Sequence, residues 1–238
     1  PLIVHPHSGP TSFASNAYDP AVQFWTSRGF AYLVVNYSGS AGFGRAYRDR
    51  LRGRWGLLDV ADCQEATQVM VDAGLADPGR LAISGSSAGG YTVLRLLTSS
   101  STFTAGVSAY GVADLVSLQQ GTHKLEAHYN DGLIGPWPQA RARYEERSPI
   151  HHVARVRTPL LILQGRDDPV VPVDQAIRMA DAVRAHHVPL ALIIFEGEGH
   201  GWRGTATRRA ALEAQYSFYA QVFGLVPAEP VPGVVIDN

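Results

Sequence analysis

Gly85-Ser86-Ser87-Ala88-Gly89 reads G-x-S-x-G and stands directly after the apolar run Leu81-Ala82-Ile83. An apolar run, a glycine-flanked serine and a helix-compatible stretch from Tyr91 to Thr98 predict a strand, a tight turn and a helix. In that arrangement the serine hydroxyl is presented at the carboxyl end of a sheet strand. The glycines permit a strained turn and a close approach of helix to strand. The pentapeptide alone is only moderately specific, because Gly and Ser are common in loops. Its weight comes from the rest of the chain.

A serine hydroxyl becomes a good nucleophile only when a base takes its proton and a carboxylate orients that base. Both residue types occur in suitable places. Pro159-Leu160-Leu161-Ile162-Leu163 reads as a buried strand and ends in Gln164-Gly165-Arg166-Asp167-Asp168-Pro169-Val170-Val171-Pro172. A carboxylate on such a turn, Asp167 or Asp168, points along the carboxyl edge of the sheet. The next apolar run, Leu190 to Phe195, ends in Glu196-Gly197-Glu198-Gly199-His200-Gly201. Packing explains a glycine-flanked histidine on a post-strand loop poorly. Three candidate catalytic residues thus each follow an expected strand, in the order Ser, Asp, His.

The remaining pattern is that of a parallel α/β sheet, with short apolar runs alternating with amphipathic stretches. Strands are expected at Leu2–His5, Ala31–Asn36, Leu81–Ser84, Ala105–Tyr110, Leu160–Gln164 and Ala191–Phe195. Continuous apolar runs of this kind suit strands buried on both faces. Helices are expected at Pro20–Ser27, Arg45–Arg52, Asp59–Ala73, Ala88–Thr98, Val173–His186 and Thr207–Phe223. In the third of these, Val60, Cys63, Thr67 and Val71 share a face, with Asp59 as a candidate N-cap and Gly74 as the stop. Residues 114–149 break the alternation and read as an insertion over the carboxyl edge of the sheet, of the kind that shapes a substrate pocket. Residues 226–238 carry Pro227, Pro230 and Pro232 and read as an extended tail.

The 238 residues suffice for one large domain spanning residues 1–238. Twenty basic and 21 acidic residues nearly cancel, which argues against a nucleic-acid-binding surface. No apolar segment approaches the roughly 20 residues that span a bilayer, so no membrane association is expected. The single cysteine, Cys63, excludes an internal disulfide and reads as a core residue. A cysteine-poor chain fits a reducing compartment, and a cytoplasmic location is expected. His151-His152 and His186-His187 have neither an i, i+4 partner nor a cysteine set, so no metal site and no cofactor are expected.

Several stretches, taken in order, resemble the catalytic domain of the prolyl oligopeptidase family of serine peptidases, in its acylaminoacyl-peptidase and dipeptidyl-aminopeptidase-like branch. His7-Ser8-Gly9-Pro10 resembles H-G-G-P. Asn36 to Gly44 resembles N-Y-R-G-S-x-G-Y-G. Trp55 to Asp62 resembles W-G-x-x-D-x-x-D. Gly85 to Gly90 matches G-x-S-x-G-G, and Gly165 to Pro172 and Gly199-His200-Gly201 match the Asp and His loops. The resemblance implies an α/β-hydrolase fold, a mostly parallel sheet with helices on both faces. It implies Ser87 as nucleophile, His200 as base and Asp168 as acid, with Asp167 the fallback. The backbone N–H groups of Gly9 and Ala88 become the oxyanion donors, and Tyr91 and Trp137 are candidate substrate-binding residues. Ser40 is a decoy, because Ser38 stands where the first glycine of G-x-S-x-G belongs. Three departures, Ser8 for glycine, Ser38 for arginine and Pro169 in the acid loop, bear on substrate contacts more than on the triad.

The implied function is hydrolysis of short peptides through an acyl-enzyme, of aminopeptidase, acylaminoacyl-peptidase or oligopeptidase type. A carboxylesterase using the same groups on small esters is the alternative. The family also carries an N-terminal β-propeller that filters substrates. This chain opens inside a strand, so the edge strands and a propeller are expected to precede it in a longer protein, and homo-oligomerisation through the uncovered apolar surface is expected to be possible.

Overall fold

The computed structural model describes residues 1–121 and 128–237. Its sheet is built from β1 (Leu2–Pro6), β2 (Ala31–Val35), β3 (Leu81–Ser86), β4 (Ala105–Ala109), β5 (Leu160–Gly165) and β6 (Leu190–Phe195). The spatial order is β2-β1-β3-β4-β5-β6, and every neighbouring pair is parallel. Each strand coincides with an expected apolar run to within two residues at either end.

Helices fill the connections: α1 (Pro20–Thr26), α2 (Arg45–Asp49), α3 (Leu58–Asp72), α4 (Ala88–Leu97), α5 (Leu115–Gly121), α6 (Tyr129–Leu133), α7 (Arg141–Arg147), α8 (Val173–Ala185) and α9 (Thr205–Phe223). Successive side chains of a strand point to opposite faces, and the core divides accordingly. Leu2 and Val4 join a layer with Cys63 of α3, Tyr91 and Leu94 of α4 and Met179 of α8. Ile3, Leu161 and Leu163 join the opposite layer with Trp25 of α1 and Tyr219 of α9. Burying an Ile or Leu side chain contributes about 1.5–3 kcal/mol, and these strands do so on both sides. The expected α/β-hydrolase architecture, a parallel sheet with helices on both faces, is what the chain adopts.

Two local readings change. The second expected helix, Arg45–Arg52, closes at Asp49, and turns carry the chain to α3. Asp59 does not cap α3. The N-cap position is Leu57, and the Asp59 carboxylate lies fully buried inside the first turn. There it accepts the Gly56 N–H and the Thr92 hydroxyl, each at 2.6 Å, which ties the Trp55-Gly56 turn to α4. Gly74 does follow the end of α3 in the left-handed region, with φ 69°.

The region 114–149, of which 122–127 lie outside the described residues, supplies α5, α6 and α7 and leads into a short 3-10 helix at Pro149–Arg155. The tail after α9 runs back along β6. Asp237 and Leu190 exchange backbone hydrogen bonds at 2.7 and 2.9 Å, and Asp237 pairs with Arg184 at 3.0 Å.

Candidate active site

β3 delivers Ser87 at its carboxyl end, and α4 starts at the next residue. Ser87 has φ 53° and ψ −120°, a conformation that non-glycine residues rarely adopt and that costs about 1–3 kcal/mol. Its own N–H holds the turn by donating to Ala109 O at 2.9 Å. The flanking glycines are sterically required. A Cβ on Gly85 would lie 2.4 Å from Gly89 O, and one on Gly89 would lie 2.3 Å from Pro6 O of β1. Side chains at either position would push α4 away from the strand and displace the hydroxyl.

The two loops after β5 and β6 converge on this turn. Ser87 Oγ and His200 Nε2 are 2.8 Å apart, and His200 Nδ1 and Asp168 Oδ2 are 2.8 Å apart. The Asp168 side chain is fully buried, whereas His200 is partly open. Asp168 Oδ1 accepts the N–H groups of Val170 and Val171 at 2.8 and 2.9 Å, and Gln164 Nε2 donates to Oδ2 at 3.1 Å. Burial alone would raise this carboxyl. The hydrogen bond and positive potential from His200, with the two amides, outweigh it and hold Asp168 below the ordinary carboxylate range. Asp167, the fallback acid, is exposed and contributes its N–H to Glu198 O at 2.9 Å, a tie between the two loops. Glu198 in turn accepts the N–H groups of Arg203 and Gly204 at 2.8 and 3.1 Å, which bends the chain after His200.

A cavity of about 250 Å³ opens beside Ser87 and His200. Gly9 and Ala88 border it, so the two expected oxyanion donors belong to the same space as the serine. Its apolar wall comes from Trp55, Val112, Leu118, Val170 and Val171, with Tyr129 and Asn130 from α6 completing it. The expectation for Tyr91 is corrected. Its ring is fully buried under α4, lies 4.6 Å from Trp55, and its hydroxyl donates to Arg147 O at 3.1 Å. Trp137 is corrected as well. It packs edge-on against Tyr144 at 5.2 Å and does not border the cavity. Tyr91 supports the wall from behind through Trp55.

Sequence reasoning missed other contributors. Tyr110, at φ 38° after β4, sets its ring edge-on to His200 at 4.9 Å and packs on Trp202 at 5.0 Å. In the sequence it reads only as the aromatic that closes the expected strand Ala105–Tyr110. Ser8, noted only as a departure from glycine, lies 2.8 Å through its hydroxyl from both Ser86 O and Ser86 Oγ, joining the Gly9 turn to the nucleophile turn. Ser40 is fully buried. It donates to Tyr37 O at 2.7 Å and lies 2.6 Å from His7 Nε2, a structural position remote from any nucleophilic role. In the Trp55–Asp62 stretch, Asp62 accepts the Ser38 N–H at 2.5 Å, so its second carboxylate fastens the Asn36–Gly44 loop. Among the described residues no group of three or more His, Cys, Asp or Glu side chains is disposed to hold a metal, and no helix is long and apolar enough to cross a membrane.

The chain is similar to known proteins in sequence and fold. Dipeptidyl aminopeptidase BIII of Pseudoxanthomonas mexicana is 32% identical over 237 residues, covering 97% of this chain and 34% of that protein. The structure of a Mycobacterium tuberculosis puromycin-hydrolyzing peptidase superposes with a TM-score of 0.97 at 46% identity, covering all of this chain and 36% of the other. An acylaminoacyl peptidase in complex with Z-Gly-Gly-Phe-chloromethyl ketone superposes with a TM-score of 0.83 at 26% identity, over 98% of this chain and 38% of the other. The chain therefore spans about a third of the length of the relatives it matches. The model of the prolyl oligopeptidase family matches residues 16–226, a stretch that runs from the loop before α1 to the end of α9 and takes in all three of the converging side chains, and on that match the chain belongs to the prolyl oligopeptidase family.

Proposed function

We propose that this chain is the catalytic domain of a serine peptidase that cleaves short peptides through an acyl-enzyme. The observation that carries this reading is the continuous hydrogen-bonded relay from Ser87 through His200 to a buried, ionised Asp168. His200 Nε2 takes the proton from Ser87 Oγ as the oxygen attacks the scissile carbonyl. Asp168 keeps the other ring proton on Nδ1 and stabilises the imidazolium. The N–H groups of Ala88 and Gly9 receive the tetrahedral oxyanion, and loss of one such donor costs about 3–4 kcal/mol in the transition state. His200 then gives its proton to the leaving amine, and water repeats the cycle on the acyl-enzyme. The apolar wall of Trp55, Val112, Leu118 and Val171 suits a hydrophobic side chain on the acyl residue.

The names of the relatives, a dipeptidyl aminopeptidase, a puromycin-hydrolyzing peptidase and an acylaminoacyl peptidase, support amide hydrolysis near a peptide terminus. Their greater length supports a further domain in the full protein, a β-propeller that limits substrates by size. The test is a parallel panel of an aminoacyl anilide, an N-blocked peptide and a short-chain ester. Amide cleavage with kcat/KM above that for the ester supports the peptidase. Cleavage of the ester alone makes the protein a carboxylesterase, and turnover of none refutes the reading.

A further inference from the structure

The segment 45–54 carries Arg45, Arg48, Arg50, Arg52 and Arg54 against the single acid Asp49, in a chain whose formal net charge is −1. All five arginines are exposed. Some of this charge has a local partner. Arg52 pairs with Asp49 at 3.1 Å, and the Arg50 guanidinium lies 5.3 Å from the Tyr47 ring. Arg48 forms no ion pair among the described residues. Arg48 of α2 and Arg52 of the turns that follow it line a groove of about 300 Å³ together with Asp49, Thr11 and Tyr129.

This groove adjoins the catalytic cleft. Tyr129 borders both spaces. Its hydroxyl lies 2.7 Å from Thr11 Oγ1 and 3.4 Å from Gly9 O, so the wall between groove and oxyanion turn is one aromatic side chain thick. The two guanidinium groups of the groove outnumber its one carboxylate, Asp49, so the groove carries net positive charge. Guanidinium groups present N–H donors in a fork that matches a carboxylate, and they stay charged at every working pH.

We propose that the Arg48/Arg52 groove is an anion subsite of the catalytic cleft and that it takes a carboxylate of the peptide substrate. The inference rests on the peptidase reading above. Two parts of a peptide can supply the carboxylate: the free C-terminus of a short leaving fragment, or an acidic side chain on the acyl fragment. Either source makes the protein selective for short or acidic peptides.

The test separates binding from turnover. Affinities are measured by calorimetry on the Ser87→Ala variant, with and without Arg48→Gln and Arg52→Gln, for two peptide pairs. One pair differs only in a C-terminal acid or amide. The other differs only in Glu or Gln beside an aromatic acyl residue. The groove predicts that at least one anionic peptide binds about three- to tenfold more tightly than its neutral twin at low salt. That ratio should shrink toward one in the Arg48→Gln, Arg52→Gln background and at high ionic strength. Which pair responds identifies the source. Equal affinity within both pairs overturns the proposal, as does a preference that survives loss of both arginines, which places the carboxylate elsewhere. Turnover by the native chain is scored separately on a neutral anilide. Failure there refutes the peptidase reading, whereas turnover without charge preference in the binding arm refutes only the subsite.

Discussion

Asp168→Asn removes one charge and one acceptor at a position the structure defines closely. Asp168 Oδ1 faces the N–H groups of Val170 and Val171 at 2.8 and 2.9 Å. An asparagine must therefore leave its carbonyl oxygen there, because an amide NH2 would oppose two donors. Its NH2 then points at His200 Nδ1 and donates to it. The ring proton moves to Nε2, the atom 2.8 Å from Ser87 Oγ, and His200 can no longer accept the serine proton. The imidazolium formed in the transition state also loses its counter-charge. A comparable tautomer reversal lowers kcat by about 10⁴, which is about 5.5 kcal/mol at 1.36 kcal/mol per decade. Asp168 does not border the cavity, so KM should change little. The new NH2 also faces Gln164 Nε2, a donor–donor contact that should cost the fold about 1–3 kcal/mol. The assay is kcat and KM on a neutral aminoacyl anilide, with a thermal melt to verify folding. Asp167→Asn is the control. That side chain is exposed, and the change should alter activity by no more than about twofold. An Asp168→Asn variant that keeps more than about a tenth of native kcat, or an Asp167→Asn variant that is the more damaged of the two, refutes the reasoning.

Gly89→Ala should lower the melting temperature and kcat together, because its Cβ meets Pro6 O at 2.3 Å and α4 must move by an overpacking strain of about 1–3 kcal/mol. An unchanged melt in circular dichroism would contradict it. Glu198→Ala strands the N–H groups of Arg203 and Gly204 and should cut kcat more than it raises KM, since the loop carrying His200 loosens; equal activity in steady-state kinetics counts against this role. Burial lowers His5 to about 4, so its contribution to stability is complete above the unfolded-chain value near 6.5 and about 3 kcal/mol is lost as pH falls to 4, while burial raises Asp59 to about 6, so about 3 kcal/mol is gained as pH falls from 6 to 3.8. The two nearly cancel in the native chain, and urea midpoints between pH 6.5 and 4 should fall for Asp59→Asn and rise for His5→Asn; parallel profiles for both variants would exclude these assignments.

The sheet was legible because its central strands β1, β3, β4 and β5 are buried on both faces and its partly covered edge strands β2 and β6 are still apolar, so all six read as largely apolar runs. Residues 81–86, 160–165 and 190–195 needed no tertiary information. The catalytic candidates were legible for the same reason: each stands directly after such a run. The wall of the cleft was not. Tyr129 and Asn130 sit in α6, a five-residue helix whose sequence has no clear period, and only the folded chain brings them beside Trp55 and Val112. Tyr91 misled because nine of the ten α4 residues are buried. A helix packed between the sheet and α3 shows no polar side, so the direction of its tyrosine cannot be read from spacing. Asp59 misled in the opposite way. An acidic residue at the head of an amphipathic run has the pattern of a cap, but here the carboxylate turns inward to join Gly56 to Thr92. Short-range pattern carries no information about such long-range polar ties.

The most direct test of the central claim is mass-spectrometric mapping of a serine-directed phosphonate, combined with Ser87→Ala kinetics. The relay predicts a single adduct on Ser87, none on Ser40 or Ser86, and loss of measurable anilide hydrolysis in a Ser87→Ala protein that melts like the native one. An adduct elsewhere, or native-like hydrolysis by the Ala variant, would contradict the account.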